Sequence, residues 1–471
     1  MWQSRSKEVT CYPKGYYSPN NVEEISEIIK QAKSKGVSVR AVGQAYTFSP
    51  IIGTDGYLIN TDKLTNIQLG PTLDETKYGN LNHTVRCQAG ASINQVNNFL
   101  TNHGLVIGSN VVLTSVRIAG ICATGSHGTG INYRTISDRI YEIRIVDSDG
   151  NLRTYNEDTT QPDVMSAVKV SLGAFGIIYD IVLRVEKDTN ITTVNRTIPF
   201  ADLIDDEGQK LGQLINDKHN EWLEFYWFPF SKSVLVKQSA RTDEQISWFA
   251  KQLIYIKFFI QAFISTFHAY ASYCLFYLNY KYVKFAGSNG YVMFSSYEQV
   301  QPLKYGVHYT GLIDYNPIIC NPECTIGFNN NAEGYAKIAK CIDDARNLID
   351  VYYSRGMSPC VYGINIRFTA ASNCLISPAN MDNDLIMWIE AFAIPKMDGY
   401  VQFCNDFNVL MINKYQGMCH WPKSWNYTTI DTVTKNYGSR LQQFNQIRTK
   451  LDVDPTNMFL NTTLRYVFDV E

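Results

Sequence analysis

Apolar residues recur at helical spacing in two segments near the N-terminus, and both segments carry capping signals. In "SPNNVEEISEIIKQAKSKG", Asn21 stands at the N-cap, Glu24 at the third helical position and Gly36 just past the end. The apolar face is formed by Val22, Ile25, Ile28, Ile29 and Ala32. "SINQVNNFLTNHG" repeats the arrangement, with Ser92 and Gln95 as a capping box. Both segments are therefore predicted to be amphipathic helices.

Alternating and continuous apolar runs predict strands around these helices. "VSVRAV", "LNHTVRCQAGA" and "IIYDIVLRVE" are typical of single strands, and "DRIYEIRIVDSDGNLRTYN" of a β-hairpin that turns at Asp149-Gly150. "DVMSAVKVSLG" predicts a short helix. Residues 1–186 are therefore predicted to form an α+β domain.

The pattern changes after Lys187. Strands are predicted for "WLEFYWFPF", "VLVKQSA", "VYGINIRFTA" and "LIMWIEAFAI". Between them lies an amphipathic helix whose apolar face carries Tyr335, Ile338, Ile342, Ala345 and Ile349. Residues 187–430 are predicted to form a second domain. Residues 431–471, which include a helix with Leu441, Phe444, Ile447 and Leu451, are predicted to return to the first.

Composition narrows the class of protein. The chain has 471 residues, enough for two or three domains, and a net charge of -2, which argues against nucleic acid as the main partner. The eleven cysteines are scattered, and the one close pair, Cys320 and Cys324, has no nearby histidine. Reduced, buried thiols are therefore favoured over a zinc site, and no metal is predicted. The polar N-terminus lacks a cleavable signal pattern, so an intracellular protein is expected.

Glycines crowd the segment "IAGICATGSHGTG". Such a loop is suited to hold phosphate on successive backbone N–H groups, or it is an irregular buried turn. It is neither a Rossmann nor a Walker motif. "AVGQAYTFSP" and "SLGAFGIIYD" add two further glycine-containing turns beside predicted strands. Three such turns in one α+β domain favour a long cofactor with two phosphates.

The chain resembles the L-gulonolactone oxidase and aldonolactone oxidase group of vanillyl-alcohol-oxidase-type flavoproteins. The resemblance runs in order through "VRIAGICATGSHGTGI", "LGAFGII", "IRFTAASNCLISP", "CHWPK" and "DPTNMFLN". It implies a two-domain α+β flavoprotein with a PCMH-type FAD-binding domain and an α+β cap domain for the substrate. The activity it implies is oxidation of a secondary or primary alcohol of a sugar-derived lactone or polyol, with hydride transfer to flavin N5. Oxygen or another acceptor would then reoxidise the flavin.

The resemblance also implies roles for individual residues. Four catalytic candidates follow from it: Asn365, Arg367, His420 and Lys423. The expected FAD contacts are Gly43, Gln44, Ala45, Tyr46, Thr47, Ser115, Gly120, Thr124, Gly125, Ser126, His127, Gly130 and Ile177. Spacing alone leaves plainer interpretations open: a salt bridge at the pocket rim for Arg367, a packed ring for His127 and a solvated surface position for Lys423.

Two positions depart from the family pattern. Tyr46 stands where many members carry the histidine bonded to the flavin, so non-covalent FAD is predicted. Asn365 replaces the usual glutamate two residues before the arginine, and Glu390 on a neighbouring predicted strand is a candidate to compensate. These departures keep a second hypothesis open, a flavin-binding but catalytically silent protein that acts as a membrane-associated scaffold or binding module.

An apolar segment spans residues 253–285, with no charged residue between Lys257 and Lys281. Its polar residues form one stripe on a helix: Gln261, Ser265, His268, Ser272 and Asn279. A stripe of this kind favours a helix lying at a membrane surface, such as that of the endoplasmic reticulum. Burial in the cap domain or in a dimer contact is the second interpretation, and a true membrane span is the third.

Overall fold

Two antiparallel sheets organise the chain in the computed structural model. The model describes residues 1–228, 232–257, 259–260, 263, 297–306, 320–395, 397–425 and 429–470. Most of the apolar segment predicted at 253–285 lies outside these residues. Within them, no helix is both long enough and apolar enough to cross a membrane.

The first sheet has six strands in the order β10-β9-β11-β7-β6, with β8 paired to β11. Their bounds are β6 Ile67–Leu69, β7 His83–Gln88, β8 Leu105–Val106, β9 Ile140–Val146, β10 Leu152–Asn156 and β11 Ile177–Lys187. Val146 pairs with Leu152, which confirms the hairpin predicted at Asp149-Gly150. Smaller sheets flank this one: β1 Trp2–Gln3 pairs with β2 Thr10–Cys11, and a parallel sheet contains β3 Gly15–Tyr17, β4 Val39–Val42 and β5 Tyr57–Asn60.

Two helices of this part begin at residues whose side chains cap them as the sequence predicts. Asn21 accepts a hydrogen bond from the Glu24 N–H at 2.9 Å, and Ser92 and Gln95 form the predicted capping box. Both helices bury the apolar faces that the sequence predicts. The helices are α1 Val22–Ser34, α2 Glu75–Tyr78, α3 Ile93–Asn102, α4 Ile118–Ala123 and α5 Pro162–Lys169, with 3₁₀ turns at Gly79–Leu81 and Ile136–Arg139.

The second sheet has eight strands in the order β15-β12-β14-β13-β17-β18-β16-β19. They are β12 Asn190–Pro199, β13 Trp222–Phe228, β14 Ser233–Thr242, β15 Tyr297–Pro302, β16 Glu323–Phe328, β17 Cys360–Ala370, β18 Leu385–Ala393 and β19 Met418–Cys419. The helices associated with this part are α6 Phe200–Leu203, α7 Gln209–Ile215, α8 Leu303–Gly306, α9 Ala332–Ser354 and α10 Tyr400–Val409, which continues as a π-helix over Leu410–Lys414. The long helix α9 buries the predicted stripe from Ile338 to Ile349.

The last segment of the chain contacts the first part of the molecule. It contains α11 Ile430–Thr434, a 3₁₀ turn at Lys435–Tyr437, α12 Ser439–Lys450 and α13 Thr462–Val467. The Val39 N–H donates to Met458 O at 2.7 Å, and the rings of Phe175 and Phe444 meet edge to face at 5.1 Å. Strand β4 near the N-terminus is thus held by a residue more than four hundred positions away.

A candidate active site between three loops and the second sheet

A cavity of about 430 Å³ lies where three loops of the first part face the second sheet. The lining includes residues 40–48 of the first loop and most of residues 119–127 of the second. It also includes residues 172, 173, 176 and 178 of the third, and the sheet contributes residues of β13, β16, β17 and β18. Its size falls within the range of small-molecule sites.

The loops hold backbone conformations that non-glycine residues seldom adopt. Ala45 has a φ of 54° and Leu172 a φ of 49°, and Gly173 follows with a φ of 71°. Such conformations cost about 1–3 kcal/mol each when a side chain is present and persist where the surroundings enforce them. Arg40 helps to hold the loop backbone in place, since its guanidinium donates to the carbonyls of Ile51 and Leu172 at 2.8 Å.

The backbone of Gly120 is open to the cavity. In the described part of the chain no atom lies within 4 Å of the point where a Cβ would stand on this residue. Gly120 is exposed although the other residues of α4 are buried. A ligand can therefore approach the main chain here without meeting a side chain, which is the property that a phosphate- or ribityl-binding loop requires.

Polar residues form a row across three neighbouring strands of the second sheet. Asn365 of β17 is the register partner of Glu390 on β18, and Glu390 is the partner of Glu323 on β16. Register partners share a face, so the row lies on one side of the sheet. Arg367, two residues after Asn365, belongs to the same face. All four side chains line the cavity.

Glu323 is the centre of the cluster. Its Oε1 lies 3.0 Å from His127 Nε2 and accepts from Arg367 Nη2 at 3.2 Å. Its Oε2 lies 2.8 Å from His420 Nδ1 and 3.1 Å from Lys423 Nζ. Both oxygens are thereby engaged by two partners each, although the carboxylate is almost fully buried.

Glu390 joins the same two cations from the other side. It pairs with Lys423 through Oε1, which also accepts from Asn321 Nδ2 at 2.8 Å. Its Oε2 accepts from Arg367 Nη2 at 3.2 Å. Two cations and two carboxylates therefore alternate in one buried group, which compensates the cost of removing each charge from water.

The charges in this cluster stabilise one another. Burial by itself raises the pKa of Glu323, but Lys423 and His127 outweigh it and hold that pKa well below its ordinary value. Burial lowers the pKa values of Arg367 and Lys423, and the two carboxylates outweigh it, so both cations stay protonated. Arg367 and Lys423 are therefore fixed cations in the wall of the cavity, each paired with carboxylates.

His127 is buried against Trp388, with ring centroids 3.4 Å apart and nearly parallel. Burial and Arg367 lower the pKa of His127 to about 3, so the ring is neutral and its one proton serves either Glu323 or Gly128 O at 2.8 Å. The ligating atoms of His127, Glu323 and His420 lie within 4.8 Å of one another. Since Arg367 and Lys423 already neutralise Glu323, a metal would compete with two resident cations, and we assign none.

Four buried polar atoms of residues that line the cavity have no hydrogen-bond partner within the described ranges. They are Arg40 Nε, Arg367 Nε, His420 Nε2 and Asn321 Oδ1. Leaving one such atom unpaired costs about 1–3 kcal/mol. Unpaired donors and acceptors in the wall of one cavity indicate a polar, oxygen-rich ligand.

Most of the residues predicted from the sequence meet at this cavity. The residues that line it are Gly43, Gln44, Ala45, Tyr46, Thr47, Gly120, Thr124, Ser126, His127, Asn365, Arg367, His420 and Lys423. Four others do not line it: Ser115, Gly125, Gly130 and Ile177. Ser115 instead bonds to the Tyr46 hydroxyl at 2.8 Å, and the Gly130 N–H donates to Phe368 O on β17 at 2.7 Å. Ile177 lies between two lining residues, Gly176 and Ile178.

The first glycine loop directly supports the segment that carries His420 and Lys423. The Phe48 N–H donates to Pro422 O at 2.8 Å, and Ser49 Oγ donates to Trp421 O at 2.6 Å. A displacement of one loop therefore displaces the other.

Sequence reasoning missed Glu323 and Asn321. Residues 320–324 drew attention only for their two cysteines, both of which are buried free thiols. The usable signal was a glutamate at the start of the apolar run "CTIGF", because a charge that opens a buried strand needs a partner.

Comparisons with known proteins agree with this architecture. A family model described as an FAD binding domain matches residues 13–156, and a model described as D-arabinono-1,4-lactone oxidase matches residues 181–467. The matches define the class, FAD-dependent oxidoreductases of two domains. The chain belongs to the D-arabinono-1,4-lactone oxidase family. The predicted α+β flavoprotein fold and its oxidoreductase function are thus confirmed, and the silent-scaffold hypothesis is not favoured.

Curated relatives cover the chain at modest identity. L-gulonolactone oxidase of Mus musculus is 24% identical over 99% of this chain and 98% of its own length. L-gulono-1,4-lactone dehydrogenase of Mycobacterium tuberculosis is 24% identical over 99% of both chains. D-arabinono-1,4-lactone oxidase of Candida albicans is 30% identical over 52% of this chain and 44% of its own.

Solved structures with the same fold include a solvent-stable cholesterol oxidase. It superposes with a TM-score of 0.79 at 15% identity, covering 99% of this chain and 97% of its own. A xylooligosaccharide oxidase from Myceliophthora thermophila gives 0.63 at 14% identity, covering 98% and 93%. Their different names illustrate that this fold serves several substrates, so the likeness shows the fold alone.

Proposed function

We propose that this protein oxidises a carbinol of an aldono-1,4-lactone with FAD bound in the cavity between the three glycine-containing loops and the second sheet. The observation that carries the proposal is the buried group of Arg367, Lys423, Glu323 and Glu390 at the sheet side of this cavity. The names of the relatives supply the substrate class, since each relative acts on a lactone of this type.

The chain's own residues bind and orient the lactone. Arg367 and Lys423 are cations fixed by carboxylates on both sides, so they need no reorganisation when negative charge develops on a substrate oxygen. Asn321, with one unpaired oxygen, is suited to accept from a sugar hydroxyl. Bound FAD supplies the hydride acceptor, which no side chain of the protein provides.

Anaerobic reduction of the flavin tests this function. Purified protein with FAD is expected to lose its yellow colour near 450 nm when D-arabinono-1,4-lactone or L-gulono-1,4-lactone is added without oxygen. A lactone of the same size without free hydroxyl groups serves as the control and is expected to leave the colour unchanged. A yellow protein that neither lactone bleaches would refute the proposal. Admission of oxygen afterwards separates an oxidase from a dehydrogenase, because only the oxidase recovers its colour rapidly without another acceptor.

The FAD is proposed to be held without a covalent bond. Tyr46 lines the cavity at the position expected for a linking histidine, and its hydroxyl is engaged by Ser115 while the Arg5 guanidinium lies 4.7 Å from its ring centroid. These contacts support a structural role for the phenol. We expect acid precipitation to release FAD into the supernatant, whereas Tyr46→His is expected to leave flavin in the pellet. Flavin in the wild-type pellet would show a covalent link.

Gly120 offers a test of the cofactor loops. Its φ is not positive, so a side chain at this position of α4 causes no backbone strain, and replacing glycine in a helix gains up to about 1 kcal/mol. Gly120→Leu is therefore expected to keep the apoprotein's melting temperature but to weaken FAD binding at least about tenfold, roughly 1.4 kcal/mol. Gly120→Ala is expected to have a smaller effect.

The control for this series is Glu27→Leu, an equally apolar substitution on the exposed side of α1. Titration of the apoproteins with FAD, followed by quenching of flavin fluorescence, gives the dissociation constants. Equal affinity of wild type and Gly120→Leu would remove Gly120 from the cofactor site.

Membrane-surface attachment is proposed for residues 248–257, a helix that leads into the apolar segment at 253–285. Residues 248–257 are helical, and large apolar side chains are exposed in the described part of this region, among them Trp248 at 74% and Phe249 at 65%. Lys251 and Lys257 lie beside them, as on a helix that binds anionic lipid.

The full chain is expected to float with phosphatidylserine-containing vesicles, and the variant Trp248→Ser/Phe249→Ser is expected to float less. Tyr12→Ser/Val401→Ser, which removes exposed apolar groups elsewhere, is the control. Wild-type protein that stays in the buffer fraction would contradict attachment.

A further inference from the structure

His420 has an arrangement at its two ring nitrogens that the binding of a lactone does not by itself require. Nδ1 lies 2.8 Å from Glu323 Oε2, and Nε2 is buried without a hydrogen-bond partner in the described structure. The residue lines the cavity, and only 3% of its surface is accessible. A buried polar atom with no partner, in the wall of a site for a hydroxylated ligand, points to a contact with that ligand.

The partner of Nδ1 fixes the tautomer of the ring. Glu323 is held as a carboxylate by Arg367 and Lys423, and a carboxylate only accepts hydrogen bonds. The Nδ1 atom must therefore carry the proton and donate it to Glu323. In the neutral ring this leaves a lone pair on Nε2.

We propose that His420 Nε2 is the base that takes the hydroxyl proton of the reacting carbinol, and that Glu323 is the residue that positions it. The inference rests on the proposed function, because the oxidant is the bound FAD. The carbinol O–H bond breaks and its proton moves to Nε2. The C–H bond breaks with its electron pair, which leaves as hydride to that oxidant, and a carbon–oxygen double bond forms. The imidazolium that results lies against the Glu323 carboxylate, which stabilises its positive charge.

His127 provides an internal comparison. It contacts the same carboxylate, but its two ring nitrogens both have acceptors, Glu323 and Gly128 O. Each nitrogen of His127 is already directed at a protein oxygen, so neither is placed to accept a proton from a substrate. Lys423 is a protonated cation between two carboxylates and donates rather than accepts. Among the residues described around the cavity, His420 is the one whose geometry leaves a basic nitrogen available.

The charged and titratable groups that face His420 come from every side of the cluster. They are Glu323 on β16, Arg367 on β17, Glu390 on β18, His127 and Lys423. Burial lowers the pKa of His420 below 6.5, and Glu323 only partly offsets it. The neutral, active form therefore dominates at pH 7. The rate of flavin reduction is expected to fall as the pH drops through this lowered pKa, because the imidazolium cannot accept a proton.

Anaerobic stopped-flow reduction of the holoenzyme by D-arabinono-1,4-lactone, measured from pH 5 to pH 9, tests the role of the base. His420→Asn keeps an amide donor near Glu323 and removes the base, so its limiting rate is expected to fall about 10²–10⁴-fold and to lose the acid limb of the pH profile. His219→Asn alters an exposed histidine, and this variant is expected to retain both the wild-type limiting rate and the acid limb of the pH profile. A rate within threefold of wild type with the acid limb intact would overturn the proposal.

A second measurement does not depend on turnover. In ¹⁵N-histidine-labelled wild-type holoenzyme, the nitrogen resonances of His420, assigned from their absence in His420→Asn, are expected to show Nδ1 protonated and Nε2 bare at pH 7. A proton on Nε2 would overturn the inference even if the lactone is oxidised. If no lactone reduces the wild-type flavin, the proposed function fails, and this tautomer measurement still decides whether Nε2 is the available base.

Discussion

Arg367→Met is expected to lower the rate of anaerobic flavin reduction by the lactone about 10²–10³-fold while FAD stays bound. Loss of one preorganised donor for developing negative charge typically costs this much. The variant also removes a positive charge that neutralises the buried carboxylates of Glu323 and Glu390, because Arg367 Nη2 lies 3.2 Å from an oxygen of each. Breaking a buried pair costs about 3–5 kcal/mol, so the melting temperature is expected to fall as well. Stopped-flow absorbance and thermal unfolding measure the two effects separately.

A double variant distinguishes the chemical effect from the structural one. Arg367→Met/Glu390→Gln removes one charge of each sign, so it is expected to recover much of the stability but not the rate. Arg346→Met, on the exposed side of α9, is the control and is expected to change stability by less than about 0.5 kcal/mol. Recovery of the rate together with stability in the double variant would show that Arg367 only maintains the structure.

Glu390→Gln is expected to reduce the limiting rate of flavin reduction about 10²-fold. Adding Asn365→Glu to this variant is expected to restore part of the lost rate. Glu390 is the register partner of Asn365 and contacts both cations, so it is placed to supply the carboxylate that the family resemblance implies at position 365. Without the Glu390 carboxylate, Arg367 and Lys423 are held less firmly for the charge that develops in the transition state. The loss of one such preorganised interaction typically lowers the rate about 10²-fold. The rates of the two single variants and the double variant give a coupling energy, expected to be about 1–3 kcal/mol.

The single variant Asn365→Glu supplies the control. Asn365 Nδ2 donates to Glu224 Oε1 at 3.1 Å and to Phe225 O at 3.2 Å. A glutamate at this position faces Glu224 and Glu390 and has no donor for either, so this variant alone is expected to be less stable and slower than wild type. Independent, additive effects of the two substitutions would show that the two positions do not share one carboxylate function.

Much of the local structure follows from short stretches of sequence. The caps at Asn21 and Ser92 and the hairpin turn at Asp149-Gly150 depend on residues within one or two turns of each other, and the structure contains all three. The ordered motifs also identify the family, which the comparisons confirm. Lys423 shows where local reasoning ends: its spacing suggests a solvated side chain, yet it pairs with two buried carboxylates.

The sequence by itself determined the α+β class, the two capped helices near the N-terminus, the three glycine-containing loops and the identity of the residues available for chemistry. Only the tertiary structure decided which of them meet. Glu323 contacts His127, which is 196 positions away, and His420, which is 97 positions away, because β16 lies between β18 and β19 in the second sheet. Strand order of this kind is set by the packing of the whole sheet, since the alternation that marks a strand contains no information about its neighbour. For the same reason, the sequence presented Asn365 as a lost carboxylate, and the sheet register places Glu390 directly beside it.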